Sequence, residues 1–159
     1  MKYIIYILLV IFISIPALAQ KANICELEKR DDNKVYLINE NIPYTGECVG
    51  YFPDGQIGKN GMYKDGLMEG KWTWWYSNGN KKRESYYEKG IKNGPTTIWY
   101  DNGCKMSEQS YVNDKLDDKA MWWYENGNKK KLSVYKDGKF WASVKWDEEG
   151  NKVLSNNLK

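Results

Sequence analysis

The chain contains no histidine, which removes the usual general base and the commonest metal ligand. Without it no Ser-His or Cys-His partnership can form, so the familiar routes to an activated nucleophile are closed. No glycine-rich phosphate loop precedes a helix, because the glycines fall at turn positions, and no cofactor is expected. Three cysteines allow at most one internal disulfide, so bridges do not define the fold. Excess charge is also scarce. The formal net charge is +3, one unit of it from Lys2, far short of a nucleic-acid binder's usual excess. No stretch after the first residues keeps a 3.6-residue apolar period, so no helix is expected in the mature chain.

The start of the chain differs from the rest. Lys2 is followed by an apolar run from Tyr3 to Ile15, then Pro16 and Ala17-Leu18-Ala19. A basic start, an apolar stretch and small residues at alternate positions are the parts of a secretory signal peptide. The run is shorter than the roughly twenty residues of a membrane span. The expectation is cleavage near Ala19 and an exported, soluble mature protein (periplasmic, surface-bound or extracellular). Cys25 follows Ala22-Asn23-Ile24, without the small residue expected just before a lipidated cysteine.

What the sequence does hold is a repeat. Gly55, Gly79, Gly103 and Gly127 stand twenty-four residues apart. Each follows Asp54, Asn78, Asn102 or Asn126, and four residues before each glycine stands Tyr51, Trp75, Trp99 or Trp123. Tyr63, Tyr87, Tyr111 and Tyr135 form another column, trailed by Gly66, Gly90, Asp114 and Gly138. Asn-Gly between strand-like runs is a strong hairpin signal, because both residues tolerate positive φ. Two strands per unit and short links predict an all-β, elongated antiparallel meander of 24-residue hairpin repeats. The expected layout is an N-terminal segment at 20–32, an array at 33–150 and a tail at 151–159. Asp114 and Asp118, where neighbouring units have glycine, mark a less regular loop.

Aliphatic residues are few, so stacked aromatics must supply most of the buried area. Trp75, Trp99 and Trp123 read as packing between repeats. The less regular Trp72, Trp74 and Trp122 read either as packing or as the lining of a groove. Lys81-Lys82-Arg83 and Lys129-Lys130-Lys131 occupy equivalent places, with Lys105 between them. Stacked units about 9–10 Å apart would align these cations. Such a ladder would grip an acidic partner, an anionic glycan or lipid headgroups, or simply keep the array soluble. The acid pairs Asp117-Asp118 and Glu148-Glu149 are loop neighbours whose side chains need not converge, and catalysis is not expected. Cys48 and Cys104 lie two repeats apart, about 19 Å, beyond the reach of a disulfide. Cys25–Cys48 is the bridge this geometry leaves open, with Cys104 a free thiol.

The words "GKWTWWYSNGN", "YYEKGIKNGPTTIWYDNG", "AMWWYENGNKKKLSVYKDGK" and "IPYTGECVGYFPDG" resemble the bacterial variant of the MORN (membrane occupation and recognition nexus) repeat. The resemblance covers roughly residues 33–150 and implies a β-meander acting through protein–protein contacts or at membrane surfaces. Proteins of this kind are commonly labelled antitoxins of toxin–antitoxin systems. With a signal peptide, that label implies an immunity-like role against an exported toxin. The resemblance implies no catalytic residue.

Overall fold

A computed structural model describes residues 20–153. The expected signal segment, residues 1–19, lies outside them, as does most of the tail. The protein is an all-β meander. Nine antiparallel strands follow one another in sheet order: β4 (Gly46–Tyr51), β5 (Ile57–Lys64), β6 (Leu67–Trp75), β7 (Lys81–Glu88), β8 (Ile91–Trp99), β9 (Lys105–Val112), β10 (Lys115–Trp123), β11 (Lys129–Lys136) and β12 (Lys139–Trp146). The short β13 (Lys152–Val153) closes the far edge. At the near edge β1 (Gln20–Asn23) adds in parallel to β4, a pairing absent from the expected pure meander. A 3-10 turn at Ile24–Glu26 follows, capped by Asn23. The strands β2 (Leu27–Lys29) and β3 (Val35–Leu37) then form a separate small sheet. The continuous meander begins at Gly46.

Two kinds of turn alternate, and their assignment corrects the reading of Asn-Gly. Asn78, Asn102 and Asn126 do not adopt positive φ, whereas Gly79, Gly103 and Gly127 do, at 85°, 87° and 86°. The Gly79 N–H donates to the Tyr76 carbonyl at 3.0 Å, and the Tyr76 N–H to the Asn80 carbonyl at 2.8 Å. This is a three-residue loop, a type I turn followed by a left-handed glycine. The two-residue turns with both φ positive are instead Asp65-Gly66, Lys89-Gly90, Asn113-Asp114 and Asp137-Gly138. Asp114 (φ 63°) thus fills a glycine site in the left-handed region, and Asp118 (φ 61°) does so at the bulge where Gly70 and Gly94 stand.

Each margin of the sheet is laced from repeat to repeat. At the two-residue turns, the Gly90, Asp114 and Gly138 N–H groups donate to the carbonyls of Met68, Lys92 and Leu116. At the other margin, the hydroxyls of Tyr76, Tyr100 and Tyr124 donate to the Trp99, Trp123 and Trp146 carbonyls at 2.9, 2.9 and 3.0 Å. Asn80 and Asn128 add side-chain bonds to the Asp101 and Glu148 carbonyls at 2.8 and 2.7 Å. Cys104 occupies the intervening position and cannot donate this bond. There Asn102 reaches the Glu125 carbonyl alone, at 3.4 Å. Cys104→Asn is therefore expected to stabilise the fold by about 1 kcal/mol, one neutral hydrogen bond. An unchanged urea midpoint would show that the missing rung costs nothing.

The core sits at the N-terminal end. Ala22, Val35, Tyr44, Cys48, Tyr63 and Trp72 are buried together there. The register sets Ala22, not Cys25, opposite Cys48. Cys48 is 1% exposed, and Cys25 stands exposed on the 3-10 turn. The Cys25–Cys48 bridge is not made, and Cys25, Cys48 and Cys104 are all free thiols. Burial pushes the Cys48 thiol up, and that of the Tyr63 hydroxyl, helped by Cys48, takes it up to about 12.

The tyrosines carry a pH dependence. Burial also raises Tyr44, Tyr100 and Tyr111, while an unfolded tyrosine titrates near 10. Below about pH 10 both states hold these protons and the contribution is complete. As pH climbs from there toward the folded value of about 12 for Tyr63, only the unfolded chain gives up its protons, and stability falls. The thermal transition is expected to drop steadily through this window, and Tyr63→Phe to flatten the drop. A wild-type transition that does not move would contradict this assignment.

Candidate binding face

Alternation along β6 sends Trp72 and Trp74 to one face of the sheet and Thr73 to the other; at Trp75 the register shifts, and Trp75 joins Trp74 in lining one cleft. The cross-strand register then builds a transverse row. Lys59 lies opposite Trp74, and Trp74 opposite Arg83. Arg83 faces Ile98, which faces Ser107. Ser107 faces Trp122, Trp122 faces Lys131, and Lys131 faces Lys145. No carboxylate stands in this row. On the opposite face the adjacent row carries Glu84 and Glu108, linked through Thr97. The strand alternation has segregated the charges.

The expected site residues divide accordingly. Trp72 is removed from the candidates: it is 1% exposed and packs in the core. Trp74 and Trp122 remain half-buried in the row, as do Arg83 and Lys131. The Arg83 guanidinium lies 3.7 Å from the Trp74 ring centre, and the Lys131 ammonium 5.2 Å from that of Trp122. Lys82 and Lys130 lie over Tyr76 and Tyr124, at 5.2 and 4.9 Å. Lys81, Lys105 and Lys129 form a column along the turn margin, over Trp99, Trp123 and Trp146 of the following unit, at 5.8, 5.9 and 6.0 Å. Trp75, Trp99 and Trp123, expected as the packing column, are half-buried at this margin and outside the main core.

The cations are not equivalent electrostatically. Lys81 pairs with Glu84 at 2.8 Å and Lys105 with Glu108 at 3.2 Å. Burial alone would raise the Glu84 carboxyl, but the Lys81 hydrogen bond and the charges of Lys81 and Lys71 outweigh it and hold it below its ordinary range. Arg83 and Lys131 have no such partner among the described residues. The Arg83 Nε is buried without a hydrogen bond, a costly state for a charged group. Around it lies a cleft of about 570 Å³, walled by Ile24, Lys59, Trp74, Lys82 and Ile98 over a floor at Gly50. Gly50 leaves that floor open: an added Cβ would stand 3.1 Å from the side chains of both Ile24 and Lys59, a close contact that they would have to yield to.

Lys59, Lys145 and Ile24 were not anticipated. Lys59 had a signal, since it occupies the Arg83 and Lys131 column in the first unit, but it stands alone and not in a basic run. Ile24 and Lys145 reach the cleft and the row through the parallel β1 and the irregular last unit, which break the period. Of the acid pairs, Asp117 spends a carboxylate oxygen on the Asp137 N–H at 3.2 Å. Among the described residues no three His, Cys, Asp or Glu side chains come together as metal ligands do.

The repeat has a counterpart among known families. Residues 68–89 and 119–137 match the family model described as MORN repeat variant. Both segments span a strand pair bearing the cationic face, β6–β7 and β10–β11. These two segments are thus similar to MORN-variant repeats, and each folds as a hairpin of the meander described above. No curated protein matches the chain.

Proposed function

We propose that this protein is a non-enzymatic binding module that presents one face of its sheet to another protein. The observation that carries this reading is the acid-free row. Arg83 and Lys131 lie over tryptophans in a row without a carboxylate, and Lys131 directly opposes Lys145; Asp147 lines the neighbouring cleft, with its carboxylate accepting from Asn151. Opposed like charges cost stability, so folding gains nothing from the arrangement and a partner would. The basic start, apolar run and small residues of the first nineteen positions support an encounter outside the cytosol, after cleavage near Ala19. An immunity-like role against an exported toxin fits both that location and the company such repeats keep.

The test is cross-linking of the purified mature chain to envelope proteins of the native cells, followed by mapping of the linked residues. The expected result is a discrete protein linked near Lys59, Lys131 or Lys145. Recovery of polysaccharide or lipid alone would overturn the reading in favour of an envelope-surface binder.

A further inference from the structure

The cleft at Trp74 and Arg83 has a second copy. Forty-eight residues on, Trp122, Trp123, Lys130 and Lys131 stand where Trp74, Trp75, Lys82 and Arg83 stand, and they line a cleft of about 470 Å³. The correspondence is residue for residue, and both copies face the same side. The intervening unit breaks it. There Met106 and Ser107 replace the two cations, and Ile98 replaces the tryptophan of the row. The face therefore carries a cationic aromatic pocket, an apolar span and a second cationic aromatic pocket.

We infer that these are two carboxylate grips, and that they hold two acidic side chains of one extended acidic–apolar–acidic segment in a partner protein. The inference rests on the protein-binding reading above and specifies the chemistry of its partner. Each grip offers a carboxylate what it lacks within the chain: a cation over a flat ring, with no competing acid in the row. A guanidinium stacked on an indole keeps its fork of donors in one plane, the geometry that receives a carboxylate on two bonds. Four strand spacings separate β7 from β11, about 19 Å. An extended chain advances about 3.3 Å per residue, so about six residues span the gap. An even separation matters, because it puts both acidic side chains on the same side of the segment. The residues between them lie over Ile98 and Met106, where apolar side chains are buried and charges would be stranded without a counterion. A uniformly charged polymer, such as a polyuronate, would place its middle charges there.

The probe is a synthetic extended peptide with two glutamates about six residues apart and valines between, titrated into the mature chain by calorimetry at low salt. Its controls carry only one glutamate, and polygalacturonate is run alongside. The two-glutamate peptide is expected to bind about a hundredfold tighter than either single-glutamate peptide, since the second grip acts intramolecularly. Arg83→Gln and Lys131→Gln should each reduce it to the single-glutamate level, while Lys81→Gln, a residue of the other column, leaves it unchanged. Unaltered circular dichroism shows that the variants fold, and Arg83→Lys, which keeps the charge, should retain part of the gain. Equal affinity for one and two glutamates would overturn the inference, as would indifference to Arg83→Gln or tighter binding of polygalacturonate. A partner still cross-linked by the Arg83→Gln/Lys131→Gln double variant would also overturn it, and would leave the binding-module reading standing.

Discussion

Trp72→Ala is expected to destabilise the protein by about 3–5 kcal/mol, the cost of emptying an aromatic site in a core. Trp72 is 1% exposed, and its ring meets Tyr63 edge-on at 4.9 Å and Trp74 at 5.9 Å. Its indole N–H donates to the Met62 carbonyl at 3.1 Å. Substitution thus opens a cavity and removes a hydrogen bond together. The neighbours cannot close the gap cheaply, because they belong to two bodies, the N-terminal cap (Ala22, Val35, Tyr44) and the first strands of the array. Further along, Thr96 and Ala120 occupy the equivalent positions, so no other unit has a residue of this size to carry the load. With a total stability of about 5–15 kcal/mol, such a loss leaves the variant marginal. Urea unfolding of Trp72→Ala beside Trp75→Ala is the measurement. Trp75 is half-buried at the margin, and an equal loss there would mean that the core is not centred on Trp72.

Sequence periodicity reaches a certain depth here and stops for physical reasons. The glycine and tyrosine columns announce the meander, because a turn needing φ above zero recurs wherever the chain reverses. The kind of turn was hidden. Asn-Gly serves either as both central residues of a two-residue loop or as the last two of a three-residue loop. The choice depends on whether the flanking pair is Tyr76–Asn80 or one residue shorter, which only the ladder decides. Alternation also groups Trp72 with Trp74, but it misses the register shift that brings Trp75 to the cleft of Trp74, and it cannot say which face is covered. That is settled by β1, the 3-10 turn and the small sheet, segments outside the repeat with no period of their own. Hence Trp75, Trp99 and Trp123, regular and conspicuous, lie at the margin, while the irregular Trp72 holds the core. The separation of Arg83 and Lys131 from Glu84 and Glu108 was implicit in the same alternation. It disappears when basic runs are read as runs, because neighbours in a strand point to opposite faces.

Gly61→Ala should be the most damaging single methyl in the array, at about 1–3 kcal/mol or more, the range for overpacking a core. An added Cβ would stand 2.1 Å from the Trp72 ring, deep inside contact distance, with two further ring atoms at 2.4 and 2.6 Å. The φ of Gly61 is not in the left-handed region, so the penalty is steric and not conformational. Gly66→Ala would mix the two, since its φ is 79° and its Cβ would also meet Lys34. The equivalent residues Ser85 and Ser133 carry side chains, because on the strand that follows each of them they face Thr96 and Ser143; the Trp72 opposite Ser85 lies on the strand before it. This gives a test that separates the clash from any general intolerance of the strand. In a Trp72→Thr background, which copies the second unit, the cost of Gly61→Ala should shrink to a few tenths of a kcal/mol. The two sites touch, and their effects cannot add. A double-mutant cycle with no coupling between positions 61 and 72 would show that the tryptophan does not rest on this glycine.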